Sequence, residues 1–165
     1  MSRYCPIIQG NTVYLNCQEC DNQICEISES NCFYLLIAGT RTYADYKEFN
    51  AICEHMLSNV KIPVVIVSGG ASGADAMAER YAIEKGYIKK VFKANWELYG
   101  NKAGYIRNEM MHDYIARFPK RGCLLFWNGV SRGTAHSFSL AKDRNTRLVV
   151  WNYKDKSILR SRVNE

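Results

Sequence analysis

Two arginines, Arg41 and Arg107, carry the planar, permanently charged fork that suits phosphate oxygens. A glycine-rich run, Ser68-Gly69-Gly70-Ala71-Ser72-Gly73, offers backbone N–H groups to the same kind of anion. The run follows an apolar, β-branched stretch at residues 64–67 and precedes Ala74-Asp75-Ala76-Met77-Ala78-Glu79-Arg80, most of them good helix formers. A strand that ends in glycines and feeds a helix leaves the first N–H groups of that helix unpaired. Missing Cβ atoms let a ligand approach that backbone, and the aligned peptide dipoles add partial positive charge. The alternative is a tight strand-to-helix turn that uses glycine only for its geometry. Two more segments of this character, Gly39-Thr40-Arg41 and Asn128-Gly129-Val130-Ser131-Arg132-Gly133-Thr134, are built of residues that pack closely or donate hydrogen bonds.

Other residue types in these segments suit neighbouring tasks. Asp75 falls in the first turn of its helix, where a carboxylate complements the dipole, and it could also accept from a ribose hydroxyl or a metal-bound water. Asp75 and Glu79, one turn later, are the two candidates for a catalytic acid. Trp96 and Tyr99 offer rings on which a base could stack, or they anchor their loop by packing. Asn108 follows Arg107 directly, near the start of a helix facing the same rim. His136 has the titration range of an acid-base group, although a lone histidine near a helix start commonly serves the structure.

Five of the seven cysteines fall within residues 1–32, a polar leader poor in apolar residues. Cys17-Gln18-Glu19-Cys20 can place two thiolates on one tetrahedral zinc, with Cys5 and Cys25 completing four ligands and Cys32 a spare. Ligation would supply much of the folding free energy of such a segment. A redox dithiol and unligated cysteines are the competing readings.

The chain has 165 residues, 47% of them hydrophobic and 23% charged, which fits one globular domain with a real core. The absence of an 18-residue apolar run and of a basic-then-apolar leader gives the expectation of a cytoplasmic protein that does not enter a membrane. Its net charge of +6 is unevenly spread. Residues 1–84 carry 5 Lys and Arg against 10 Asp and Glu, and residues 85–165 carry 17 against 6. A basic C-terminal half favours phosphorylated or polyanionic partners, nucleic acid among them, or is simply a solvated surface.

The elements that must position these residues alternate. Buried strands are expected at 33–38, 62–67, 88–92, 122–127 and 147–151, and helices at 43–57, 73–85, 104–118 and 135–143. Residues 94–103 read as a loop and the chain after 152 as a charged, frayed tail. Met77, Tyr81 and Ile83, and likewise Ile106, Met110 and Tyr114, are the expected inward residues of two helices. The alternation predicts an α/β, Rossmann-like three-layer domain with a mainly parallel sheet of about five strands and helices on both faces. Its units are a leader at 1–32, the domain at 33–152 and a tail at 153–165. In such sheets ligands bind beyond the carboxyl ends of the strands, where the strand order reverses, and all three rim segments lie at such ends.

Several motifs in order carry a resemblance. Gly39-Thr40-Arg41, the run from Ser68 to Asp75, Trp96-x-x-Tyr99-Gly100, Ala103-Gly104-x-x-Arg107-Asn108 and Phe126-Trp127-x-Gly129-x-Ser131-x-Gly133-Thr134 resemble the YspA-like branch of the SLOG superfamily. That superfamily also includes the LOG phosphoribohydrolases and the DNA-uptake protein Smf. The resemblance covers roughly residues 33–152 and implies a nucleotide or nucleotide-derived ligand at the strand rim. In the LOG hydrolases the late loop reads Pro-Gly-Gly-x-Gly-Thr-x-x-Glu, whose glutamate belongs to the hydrolytic machinery; here Gly133-Thr134 matches and Ser137 stands in that place. The expected function is therefore binding, as a sensor or a sequestering protein. The alternatives are a hydrolase of an N-glycosidic or phosphoester bond in a nucleotide, and a nucleic-acid-binding protein. A homo-oligomer is compatible with all three.

Overall fold

The structure is a computed structural model and describes residues 31–161. Cys5, Cys17, Cys20 and Cys25, on which the zinc expectation rests, lie outside the described residues. Among the described residues no group of three or more His, Cys, Asp or Glu side chains could hold a metal ion. Cys32 is 2% exposed and packs in the core.

Mainly apolar runs, with Lys89 and Lys90 interrupting β3, form the strands β1 (Phe33–Gly39), β2 (Val64–Ser68), β3 (Ile88–Val91), β4 (Arg121–Trp127) and β5 (Arg147–Asn152), which pair parallel with one another. A sixth strand, β6 (Ser157–Ser161), pairs antiparallel with β5. The sheet order is β3-β2-β1-β4-β5-β6. The tail expected to fray from residue 153 is thus in part a strand, the sixth of the sheet among the described residues. An edge strand paired on one side needs little apolar content, so its pattern is weak; its residues are mostly exposed.

Helices α1 (Tyr46–Leu57) and α2 (Ala74–Lys85) cover one face, and α4 (Ala103–Ala116) and α5 (Arg132–Asp143) cover the other. The period-two alternation of β1 sends Leu35 and Ile37 to the first face, against Phe49, Cys53 and Tyr81. Tyr34, Leu36 and Ala38 go to the second, against Met111 and Ile115. Between β3 and α4, where a loop was expected, a single helical turn, α3 (Trp96–Tyr99), is capped by the Asn95 side chain on the Leu98 N–H at 3.0 Å.

Of the residues expected to face inward on two helices, Tyr81 is buried and Met77 and Tyr114 pack against the core, while Ile83 and Met110 are corrected. Ile83 is exposed on α2, whose inward residues are Ala74, Asp75, Ala78, Tyr81 and Ala82. On α4 Met110 is exposed, and the buried stripe is Ala103, Arg107, Asn108, Met111, His112 and Ile115. Three polar residues on that stripe made its apolar period unreadable. No helix among the described residues is long and apolar enough to cross a membrane.

Candidate functional site

Strand order reverses between β1 and β4. The segments leaving their carboxyl ends diverge there and open a cleft of roughly 320 Å³. A second depression of roughly 370 Å³ adjoins it, bordered by the glycine-rich loop, Lys93 and Trp96; Arg41, Ala71, Trp96 and Arg107 belong to both.

Thr40 joins the three rim segments. Its N–H donates to the Phe126 carbonyl at 2.9 Å, and its carbonyl accepts from Tyr43 and Ala74 at 3.2 and 3.4 Å. Its hydroxyl accepts from the Asn128 N–H at 3.3 Å. Gly39 has no room for a side chain, since a Cβ there would meet Phe126 and Ala74. That close approach brings β1, β4 and the start of α2 together at the cleft.

The glycines of the central loop have different tasks. Gly70 and Gly73 have φ of +69° and +72°, backbone that L side chains rarely adopt. A Cβ on Gly70 would face Val91 Cγ1 at 3.1 Å and Lys93 Cγ at 3.3 Å. Gly69 faces inward: a Cβ there would stand 2.6 Å from Arg107 Nη1 and 2.7 Å from Asp75 Oδ2. Ser68 Oγ donates to the Asp75 carbonyl at 3.1 Å and Ser72 Oγ to the Arg41 carbonyl at 3.1 Å, tying the loop to α2 and to the β1 rim. The N-cap of α2 is Gly73, so no side chain caps the helix end directed at the rim.

Arg107 is 8% exposed. Its Nη1 donates to the Gly69 carbonyl and its Nε to Asn108 Oδ1 at 2.9 Å. Asn108 in turn donates to the Gly133 carbonyl at 3.3 Å. Expected as a free fork, Arg107 spends part of its fork holding the central loop, and Asn108 holds the late loop. Burial lowers the pKa of Arg107 below the ordinary arginine value. Arg41 is exposed, with its guanidinium carbon 5.4 Å from the centroid of the Trp96 ring. Gly104, in the first turn of α4, lies under this pair: a Cβ there would stand 3.5 Å from Trp96 and 4.0 Å from one nitrogen of each arginine.

Asp75 is 3% exposed and lines the cleft. Burial, opposed by the charge of Arg107, raises its pKa to about 6. Oδ2 accepts from the Ala71 N–H at 3.3 Å, and Oδ1 is buried with no hydrogen-bond partner among the described residues. Glu79 does not border the cleft; it stands against Lys89 at 3.7 Å. In the late loop Asn128 Oδ1 accepts from the N–H groups of Val130 and Ser131, at 3.0 and 2.8 Å, and Gly129 has φ +87°. Ser131 caps α5 by accepting from the Thr134 N–H at 3.4 Å and the Thr134 hydroxyl at 3.1 Å. Ser131, Gly133, Thr134 and the buried Ser137 border the cleft. Asn128 and Ser131 therefore shape the loop before they could serve a ligand. His136 packs edge-on against Tyr105, 4.9 Å between centroids, and does not border the cleft. Tyr99 does not border it either.

Asn101 and Tyr105 on the cleft, and Lys93 on the second depression, were not singled out from sequence. The spacing of Gly104 and Arg107 was the one signal that α4 contributes a wall there.

Residues 33–99 match the model of the YspA, cpYpsA-related SLOG family (YAcAr). The chain is similar to the Gene 61 protein of Mycobacterium phage D29, with 32% identity over 127 residues, spanning 74% of this chain and 97% of that protein.

Proposed function

Because the chain belongs to the YspA, cpYpsA-related SLOG family, whose membership points to a nucleotide-related ligand-binding role, we propose that its rim cleft binds a phosphate-bearing, nucleotide-type small molecule. The protein then acts as a sensor or sequestering protein. The observation that carries this reading is the convergence at the strand-order reversal of two guanidinium groups, the glycine-rich loop and a helix N-terminus without a side-chain cap. Arg41 and the part of Arg107 turned to Gly104 would take the anion; beside them, the Gly70 and Ala71 N–H groups are held by Ser68 Oγ and Asp75 Oδ2 at 3.4 and 3.3 Å. Trp96, 48% exposed, offers ring surface to a planar base. Ser137, buried where the LOG pattern has its glutamate, favours holding over hydrolysis.

Calorimetric titration of adenosine and guanosine monophosphates and of an ADP-ribose-type dinucleotide tests the reading. Saturable binding that tolerates moderate salt and leaves the nucleotide intact supports it. Binding restricted to oligonucleotides and falling steeply with salt overturns it in favour of nucleic acid. Mass spectrometry of small molecules released on denaturing the purified protein would name the base.

A nucleotide hydrolase is the second reading, favoured by a carboxyl group of pKa about 6 inside the cleft. Release of free base or phosphate that is lost in Asp75→Asn would establish it.

A further inference from the structure

Two guanidinium groups, Arg41 and Arg107, border the cleft, and Asp75 is the one carboxylate among the described residues that line it. Oδ1 is buried and unpartnered among the described residues, on a side chain that borders the cleft. Such an oxygen is strongly disfavoured unless something donates to it. Above its pKa of about 6 the group is a charged acceptor. A fully ionised phosphate has no proton to offer and would be repelled. The ligand must therefore carry a donor besides its anion.

Position narrows the donor. Asp75 Oδ2 and Arg107 Nη1 both lie within 2.7 Å of the one point where a Gly69 Cβ would stand, so one small ligand can reach both the carboxyl and the guanidinium. Donor and anion in the ligand must be equally close. In a nucleotide the sugar hydroxyls sit on the ring whose exocyclic carbon bears the phosphate, whereas the N–H groups of the base lie across that ring. Oδ2 already accepts from the Ala71 N–H, which leaves Oδ1 as the carboxyl oxygen without a partner among the described residues. Its two lone pairs suit two adjacent hydroxyls.

Resting on the reading of the cleft as a site for a phosphate-bearing ligand, we propose that Asp75 is its specificity-determining residue. Its open oxygen accepts from the vicinal hydroxyls of a phosphorylated pentose, so the site takes ribose phosphates and ribonucleotides in preference to their deoxy counterparts and to inorganic phosphate.

Titration of inorganic phosphate, ribose 5-phosphate and 2-deoxyribose 5-phosphate into the full chain and into Asp75→Asn and Asp75→Ala tests this. Circular dichroism checks the fold of each variant, and the near-isosteric Asn covers the case in which Ala unfolds. The parent should bind ribose 5-phosphate at least about 10-fold more tightly than the other two, the loss expected for hydrogen bonds to a charged group. Asp75→Asn should compress that preference to about 3-fold or less and bind inorganic phosphate no more weakly than the parent. Equal affinities for the three probes in the parent, or full preference kept in Asp75→Asn, overturn the assignment and leave the cleft as an anion site. If none of the three probes binds, the reading of the cleft falls and the assignment with it.

Discussion

A single atom decides what several residues at the cleft do. Gly104 borders the space between Trp96 and the two arginines, and a Cβ there meets only ordinary contacts. Gly104→Leu should therefore fold, with stability unchanged or raised by up to about 1 kcal/mol because glycine is a poor helix former. Its longer side chain fills the cleft, so nucleotide binding should disappear; undiminished binding would mean the ligand sits elsewhere. Gly69→Ala should instead lower stability, since its methyl group collides with Arg107 and Asp75, and a melt reads that directly. Gly70 is less informative than its place in the motif suggests. At φ +69° with Val91 and Lys93 alongside, Gly70→Val strains the backbone whatever the loop binds. Arg107→Lys keeps the charge but loses the Gly69 and Asn108 hydrogen bonds as well as the fork. Binding should weaken by about 1–3 kcal/mol, and the melting temperature should fall too. Arg41→Lys, at an exposed position, should weaken binding without the thermal effect.

Helix ends and one strand hairpin hold the rim at the scale of elements. Asp45 caps α1 by accepting from the Glu48 N–H at 2.9 Å. Asp45→Ala should cost about 1 kcal/mol, read as a drop of about 2–4 °C in melting temperature. Binding should stay intact, because the cap does not border the cleft. Glu48 gathers the Tyr43 hydroxyl, the Trp151 indole N–H and the Lys156 ammonium at 2.9, 2.8 and 2.5 Å. Burial raises its pKa, but together those partners outweigh it and hold the carboxyl below the ordinary glutamate value. Through Tyr43, whose ring lies 4.6 Å from that of Tyr153, the β5–β6 hairpin is tied to the segment that carries Arg41. Glu48→Ala should speed amide exchange in β6 and in residues 40–43 together. Exchange faster in β6 alone would show that the two are not coupled.

At the scale of the molecule, two buried titratable groups oppose each other. Asp75 has a folded pKa of about 6 against an ordinary 3.8. Between those values the native state holds the extra proton, and stability falls as pH rises. His112 is fully buried between α4 and α5, and burial, with Arg144 and His136 nearby and Asp113 opposing, lowers its pKa from 6.5 to about 3. There the unfolded state binds the proton, and stability rises with pH over about 3 to 6.5. Each slope is at most about 1.4 kcal/mol per pH unit, so the parent should be nearly flat between pH 4.5 and 6. Urea melts across that window should steepen upward with pH in Asp75→Asn and slope downward in His112→Leu. Unchanged slopes in both would remove these groups from the pH dependence.

Alternation of short apolar runs with helical periods was enough to establish a parallel α/β sheet, its strand ends and three glycine-bearing rim segments, because local propensity and burial pattern agree there. The family followed from motif spacing for the same reason: a Cβ at Gly39 would collide with Phe126, and Gly73 and Gly129 have positive φ that L side chains rarely adopt. Contacts distant in sequence decided the rest. That Arg107 braces Gly69, that Asp75 rather than Glu79 reaches the cleft, and that Asn128 and Ser131 shape their own loop all depend on how α2, α4 and α5 pack across the sheet. The amphipathic period failed on α4 because its buried stripe carries Arg107, Asn108 and His112. β6 stayed unread because its order comes from the β5 ladder and from Glu48, 108 residues before Lys156, rather than from its own composition.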